Sequence, residues 1–133
     1  MIYCIDTNII VDIFRGNKDL LNEIENITER KDNFSITVLN LAELFKGAYL
    51  SAKKEENLSL IEEFIKNVEI LNFNKESSKI YGEIFSELQK KGKQSEEIDL
   101  LIASIVLAYD AYLITKNKKH FENISKLKII NIN

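Results

Sequence analysis

The chain has 133 residues, 45% hydrophobic and 29% charged, which suits one domain over 1–133 with a core that needs no covalent staples. Its one cysteine, Cys4, excludes an intrachain disulfide and fits a reducing compartment. The formal charge of −3 does not mark a protein that binds nucleic acid through its overall field, and no stretch reaches the ~20 apolar residues of a bilayer span.

The opening Met-Ile-Tyr-Cys-Ile-Asp carries no basic region and no cleavage site, so a soluble, cytoplasmic protein without membrane association is expected. Ile2 to Ile5 is a short β-prone run that stops at Asp6-Thr7-Asn8, all helix N-cap residue types. Ile9, Ile10, Ile13 and Phe14 then follow helical spacing until Arg15-Gly16-Asn17. A second helix is predicted over Lys18 to Arg30, with Leu20, Leu21, Ile24 and Ile27 on one face. Phe34 to Thr37 reads as a strand, followed by a helix from Leu39 towards Ala52 and another from Lys53 to Asn67. Val68 to Leu71 is the third strand, and Ile80, Tyr81, Ile84, Phe85 and Leu88 form a helical stripe that ends near Gly92. Ile98 to Leu107 is apolar on nearly every side, the mark of a buried helix. Tyr112 to Thr115 and a segment within Leu127 to Ile132 complete five strands. Short apolar strands alternating with helices predict an α/β doubly wound domain with a largely parallel sheet and helices on both faces.

In such a sheet ligands bind beyond the carboxyl ends of the strands. The first strand delivers Asp6-Thr7-Asn8, the second runs into the helix carrying Glu43, and the fourth delivers Thr115-Lys116-Asn117. Asp99 opens the buried helix that feeds the fourth strand. Capping alone would account for Asp6 or Thr7, and the helix dipole for Asp99. Glu43 and Asp99, however, are embedded among Leu, Ile and Ala, where a carboxylate is costly unless paired or bound to a cation. An all-oxygen set without thiolate or imidazole points to Mg²⁺ or Mn²⁺ rather than zinc. Two lysine clusters, Lys90-Lys91-Lys93 and Lys116-Lys118-Lys119, flank the acidic segment and offer contacts for phosphate.

Four segments carry a family resemblance: Ile5-Asp6-Thr7-Asn8 with Asp12, Asn40-Leu41-Ala42-Glu43-Leu44, Asp99-Leu100-Leu101-Ile102-Ala103-Ser104, and Leu113-Ile114-Thr115-Lys116-Asn117 with Phe121-Glu122 beyond. In this order and spacing the sequence resembles a PIN domain of the VapC toxin type over essentially its whole length. The resemblance implies a three-layer αβα domain with a central, mostly parallel five-stranded sheet. It implies an acidic metal-binding core of Asp6, Glu43 and Asp99, with Thr7, Asn8 and Thr115 orienting carboxylates or bound water.

Asn117 falls where many relatives carry a fourth acid, and His120 where many carry aspartate. Both leave a second metal position open. The implied activity is endoribonuclease hydrolysis with one or two Mg²⁺ ions, with Lys116, Lys118, Lys119, Arg15 and Lys46 holding neighbouring phosphates. Transfer or ribosomal RNA as substrate, a VapB-like antitoxin partner and a homodimer are likewise implied by the resemblance. Phe45, Leu50 and Phe64 are candidates to line the groove for that partner. His120 reads as a surface or supporting residue, Glu97 as an exposed helix-start acid, and Cys4 as a buried small hydrophobe. The competing readings are a receiver-like or phosphatase-like domain, a catalytically weak PIN-fold binding protein, and a housekeeping RNA-processing nuclease. The first lacks the second aspartate of Asp-x-Asp and the paired acid before Asp6.

Overall fold

A computed structural model describes residues 1–29 and 34–133. Five strands, β1 (Tyr3–Ile5), β2 (Phe34–Thr37), β3 (Val68–Leu71), β4 (Tyr112–Thr115) and β5 (Lys128–Asn131), form one sheet in the order β3-β2-β1-β4-β5. Every pairing is parallel. Among the described residues six helices connect them: α1 (Thr7–Phe14), α2 (Lys18–Thr28), α3 (Val38–Leu50), α4 (Lys54–Ile65), α5 (Lys75–Lys90) and α6 (Glu97–Ala108). A single-turn 3₁₀ segment, Lys118–His120, comes after β4.

Alternation along the strands divides the apolar residues between two cores. Cys4 and Leu113 face one with α5 and α6, while Ile5 and Ile114 face the other with α1, α2, α3 and α4. The sheet is therefore the middle layer of three. The buried residues Leu100, Ile102, Ala103, Ser104, Ile105 and Val106 of α6 bear out the reading of an apolar central helix. Cys4 is fully buried, and burial pushes its thiol up to about 12, so it packs as a hydrophobe.

Local chemistry sets the element ends. The Asp6 carboxylate accepts the Thr7 N–H and starts α1 two residues before the first apolar residue of its stripe. Thr37 and Asn40 form a reciprocal capping box at the start of α3. The end of α5 is a Schellman turn: Gly92, at φ +68°, donates to the Gln89 carbonyl at 3.1 Å and Lys93 to the Leu88 carbonyl at 2.9 Å. The expected bounds of β2, β3 and β4 coincide with the observed ones, and the sheet, expected to be mostly parallel, is parallel throughout the described strands. The predicted continuation of α2 to Arg30 lies outside the described residues. No helix among the described residues is long and apolar enough to cross a membrane.

The strand order fixes where a ligand site can form. From β1 the connections build outward to β2 and β3, then return across the sheet to β4 and β5. The reversal falls between β1 and β4, where the diverging connections leave a crevice at the strand ends.

Candidate active site

At that crevice Asp6, Thr7, Asn8, Glu43, Glu96, Ile98, Asp99, Asn117 and His120 line a cavity of about 110 Å³. Asp6 is the residue after β1 and is only 7% exposed. Its Oδ1 accepts the Thr7 N–H at 2.9 Å, and its Oδ2 accepts the Thr115 hydroxyl at 2.7 Å. Thr115, at the end of β4, is fully buried behind Asp6 and also accepts the Asn117 N–H at 3.0 Å. Capping and site-building are thus both roles of Asp6, served by different oxygens.

Glu43 reaches the cavity from the second turn of α3. Its Oε1 accepts the Thr7 hydroxyl at 2.6 Å, and Thr7 in turn accepts the side-chain amide of Asn40 at 3.0 Å. Asn40 is fully buried, its Oδ1 engaged by both the N–H and the hydroxyl of Thr37 at 2.9 and 2.7 Å. A chain of polar contacts therefore runs from the end of β2 through Asn40 and Thr7 to Glu43.

Asp99, on the first turn of α6, lies 3.4 Å from the His120 imidazole. Burial raises its carboxyl to about 6; His120 opposes the shift, and Asp6, Glu96 and Glu43 add to it. Burial also raises Glu43, with Asp6 and Glu96 adding to the shift, while the Thr7 hydrogen bond and Lys46 pull the other way. Four carboxylates crowd a small space that, among the described residues, no lysine or arginine lines. Such a space favours a proton or a cation.

Of the residues singled out in the sequence, Asp6, Thr7, Asn8, Glu43, Asp99 and Asn117 meet at the cavity, and Thr115 braces it from behind. Lys46 stands outside, one turn beyond Glu43 on α3. Lys116, Lys118 and Lys119 line a shallow depression of about 420 Å³ that shares Asn117 and His120 with the cavity. Lys116 is engaged there, 2.6 Å from the Asp12 carboxylate. Arg15 is remote: it lines a separate groove of about 250 Å³ between α1, α3 and α4.

That groove is walled by Val11, Phe14, Leu44 and Leu60, not by the expected Phe45, Leu50 and Phe64. Phe45 and Phe64 are half-buried against the core, and Phe64 meets Phe14 edge-on at 5.4 Å. Leu50 is exposed beyond the groove.

Two contributors are not evident from the sequence. Glu96, the N-cap residue of α6, lines the cavity, whereas Glu97 turns outward to the Tyr81 hydroxyl. Asn40 was visible only as part of a motif; its signal was the Thr37-x-x-Asn40 spacing of a capping box. Among the described residues no three Asp, Glu, His or Cys side chains close into a ready-made cation cage. The acids ring the cavity and leave space between them.

A parallel α/β sheet that gathers carboxylates at its switch point, with lysines beside them, has the ingredients of a nuclease centre. The chain belongs to the PIN-domain family, whose model matches residues 3–127. Within that family its likeness is to the VapC ribonucleases. It is 37% identical to Ribonuclease VapC2 of Rickettsia felis over 98% of each chain. It is 27% identical to the tRNA(fMet)-specific endonuclease VapC of Shigella flexneri over 95% of this chain and 94% of the relative. The crystal structure of VapBC2 from Rickettsia felis, bound to a DNA fragment from its promoter, superposes with a TM-score of 0.90 at 36% identity over the full length of both chains. The chain is accordingly a ribonuclease of the toxin type.

Proposed function

We propose that this chain, acting as one unit over 1–133, is a Mg²⁺-dependent endoribonuclease toxin of the cytoplasm that hydrolyses RNA at the cavity of Asp6, Glu43 and Asp99. The observation that carries the assignment is the meeting of these three side chains, with Glu96, at the β1–β4 switch point. The donor set is wholly carboxylate, hydroxyl and amide oxygen, which suits Mg²⁺ and, as a substitute, Mn²⁺. Mg²⁺ keeps several of its waters, so spaced carboxylates with room between them fit it better than a closed cage would.

A divalent ion held by Asp6, Glu43 and Asp99 would supply a water of lowered pKa and neutralise charge on the scissile phosphate. The chain's own residues do the rest. Thr7 and Thr115 hold the Asp6 carboxylate and leave its remaining lone pairs for the cavity. Thr7 fixes Glu43, and the burial that raises Glu43 and Asp99 makes both prefer a cation to bare ionisation. Asn8 and Asn117 provide neutral amide groups at the rim. Lys118 and Lys119 beside the cavity, and Lys46 one turn beyond Glu43, would hold flanking phosphates. Transfer or ribosomal RNA is the proposed substrate class, supported by the likeness to a tRNA(fMet)-specific enzyme.

The proposed partner is a VapB-like antitoxin, supported by relatives solved as VapBC complexes. The apolar groove between α1, α3 and α4 is the surface proposed to receive it, and a homodimer is the proposed assembly. A binding-only reading rests on Asn117, which brings no charge to a position where a fourth acid would strengthen metal binding.

The test uses protein freed of any antitoxin, incubated with total RNA and bulk transfer RNA in Mg²⁺, Mn²⁺ or EDTA. Discrete cleavage in either metal, absent in EDTA and in folded Asp6→Asn and Asp99→Asn proteins, is the expected result. Intact RNA in every lane, with the wild type folded and RNA-bound, selects the binding-only reading.

A further inference from the structure

A cavity at the α5–α6 turn is separated from the acids by Gln94 and Ser95. It measures about 370 Å³, with Phe85, Leu88 and Leu100 as its floor and Lys93, Gln94 and Ser95 at its rim. Building on the nuclease reading above, we infer that this cavity is a base-binding subsite, holding one unpaired nucleotide of the RNA strand beside the scissile phosphate.

Continuity is the first argument. A smaller depression of about 190 Å³ shares Gln94 and Ser95 with this cavity, and Glu96, Asp99 and His120 with the acidic one. The three cavities therefore adjoin in series, from Phe85 past Gln94 and Ser95 to the carboxylates. Leu100 lines the large cavity and its chain neighbour Asp99 the other two, so the first turn of α6 stands between the apolar floor and the acids.

The chemistry of the lining is the second. Phe85 is 43% exposed although it belongs to the apolar stripe of α5; its ring is tilted against Tyr81 at 6.1 Å and still offers aromatic surface to a flat partner. Unpaired RNA bases are held by stacking on such rings and by hydrogen bonds to their edges. The Gln94 amide and the Ser95 hydroxyl are donors and acceptors of the kind that read a base edge. Lys93 adds a cation for a backbone phosphate: Lys91 pairs with Glu87 at 3.0 Å, while Lys93 has no ion pair among the described residues. An apolar floor, a polar rim and one cation suit a nucleotide better than a lipid chain or an apolar helix.

The third argument is rigidity. The Schellman turn at Gly92 fixes the backbone of Lys93 by its bond to Leu88, so the rim is held against the floor in the absence of substrate. This subsite is also on the opposite face of the sheet from the groove proposed for the antitoxin.

The test uses the full chain, freed of antitoxin, with Phe85→Ala, Phe85→Tyr and Gln94→Ala. A single-stranded RNA spanning the cleavage site, with 2-aminopurine placed at successive positions, is titrated onto the Asp6→Asn protein with and without Phe85→Ala. Quenching at one position beside the cleavage site, lost with Phe85→Ala and kept with Phe85→Tyr, is expected. In the otherwise wild-type chain, Phe85→Ala should raise KM for RNA by about tenfold, the effect of one stacking contact, with kcat little changed. Gln94→Ala should relax base preference at that same position.

Unchanged KM and quenching in folded Phe85→Ala and Gln94→Ala, while the wild type cleaves, overturns the subsite and leaves the nuclease reading standing. A wild type that neither cleaves nor binds RNA overturns both. A change of oligomeric state with KM unaltered assigns the cavity to a second copy of the chain and removes the subsite.

Discussion

Thr115 donates its hydroxyl to Asp6 Oδ2 at 2.7 Å across the seam between β4 and β1, joining residues 109 positions apart. The contact is possible because the two parallel strands run in register and both end at the switch point, Ile5 beside Ile114. It leaves the carboxylate one fixed orientation. Thr115→Val removes the hydroxyl with little change of shape, so Asp6 keeps its charge and its Thr7 N–H contact but loses the brace on Oδ2. Groups that orient a metal-binding carboxylate are worth roughly 10–100-fold in affinity or activity. Cleavage by Thr115→Val should fall within that range and Mg²⁺ affinity with it, while Thr115→Ser should recover most of both. Isothermal titration with Mg²⁺ separates this from a loss of folding.

Asn40 carries a second brace, and here stability and activity should fall together. Its amide is fully buried, and both ends are satisfied by Thr37 and Thr7. Asn40→Ala strands the Thr37 N–H and frees the Thr7 hydroxyl from its orienting donor. An unsatisfied buried polar group costs about 1–3 kcal/mol, and the loss of helix capping acts in the same direction. The variant should melt several degrees lower and cleave RNA more slowly even where it is fully folded. Glu43→Gln, by contrast, should lose activity without that drop in melting temperature.

Much of this was legible because the chemistry repeats the topology. β2, β3 and β4 were bounded correctly because Phe34-Ser35-Ile36-Thr37, Val68-Glu69-Ile70-Leu71 and Tyr112-Leu113-Ile114-Thr115 are short β-prone runs with abrupt polar ends. The acids came from the same logic, since each stands at a strand end or in the early turns of a helix. Side-chain direction was not legible. Glu96 and Glu97 are adjacent and chemically alike, and only the extended backbone of Glu96 as N-cap turns one inward and the other out. Arg15 looked serviceable beside Asp12, yet eight residues of helix carry it about 12 Å from Thr7. Nor does local sequence reveal that Lys116 is neutralised by Asp12, a contact between residues 104 positions apart.

That pairing separates the lysines by function. Lys118 and Lys119 have no ion pair among the described residues, whereas Lys116 is held by Asp12. A free surface cation beside the cavity contributes fully to phosphate binding and to its salt dependence, and a paired one contributes less. Lys119→Ala should weaken RNA binding at low salt and flatten the plot of log affinity against log salt by about one phosphate contact. Lys116→Ala should change that slope less and loosen the loop after β4 more, visible as faster amide exchange at Asn117. Equal slopes for the two variants would remove the distinction.

Asp99 gives the clearest dependence on pH. Its side chain is 13% exposed, and burial together with Asp6, Glu96 and Glu43 lifts its carboxyl from an ordinary 3.8 to about 6 against the pull of His120. Between those values the metal-free folded chain binds a proton that the unfolded chain has released. Stability is therefore greatest below about pH 4 as far as this group is concerned, and falls as pH rises towards 6. The loss amounts to on the order of 2–3 kcal/mol once Asp99 is ionised, and the raised Glu43 acts in the same direction. Asp99→Asn cannot ionise. In EDTA it should melt higher than the wild type at pH 7.5, by on the order of 5–10 °C, and no higher at pH 4. Mg²⁺ competes with the proton, so its stabilisation of the wild type should grow from pH 5 to pH 7.5, and at each pH it should be smaller in the variant. Melting curves in EDTA and in Mg²⁺ across this range decide the matter. Coincident wild-type and Asp99→Asn curves at every pH would show that the carboxylate carries no strain for a cation to relieve.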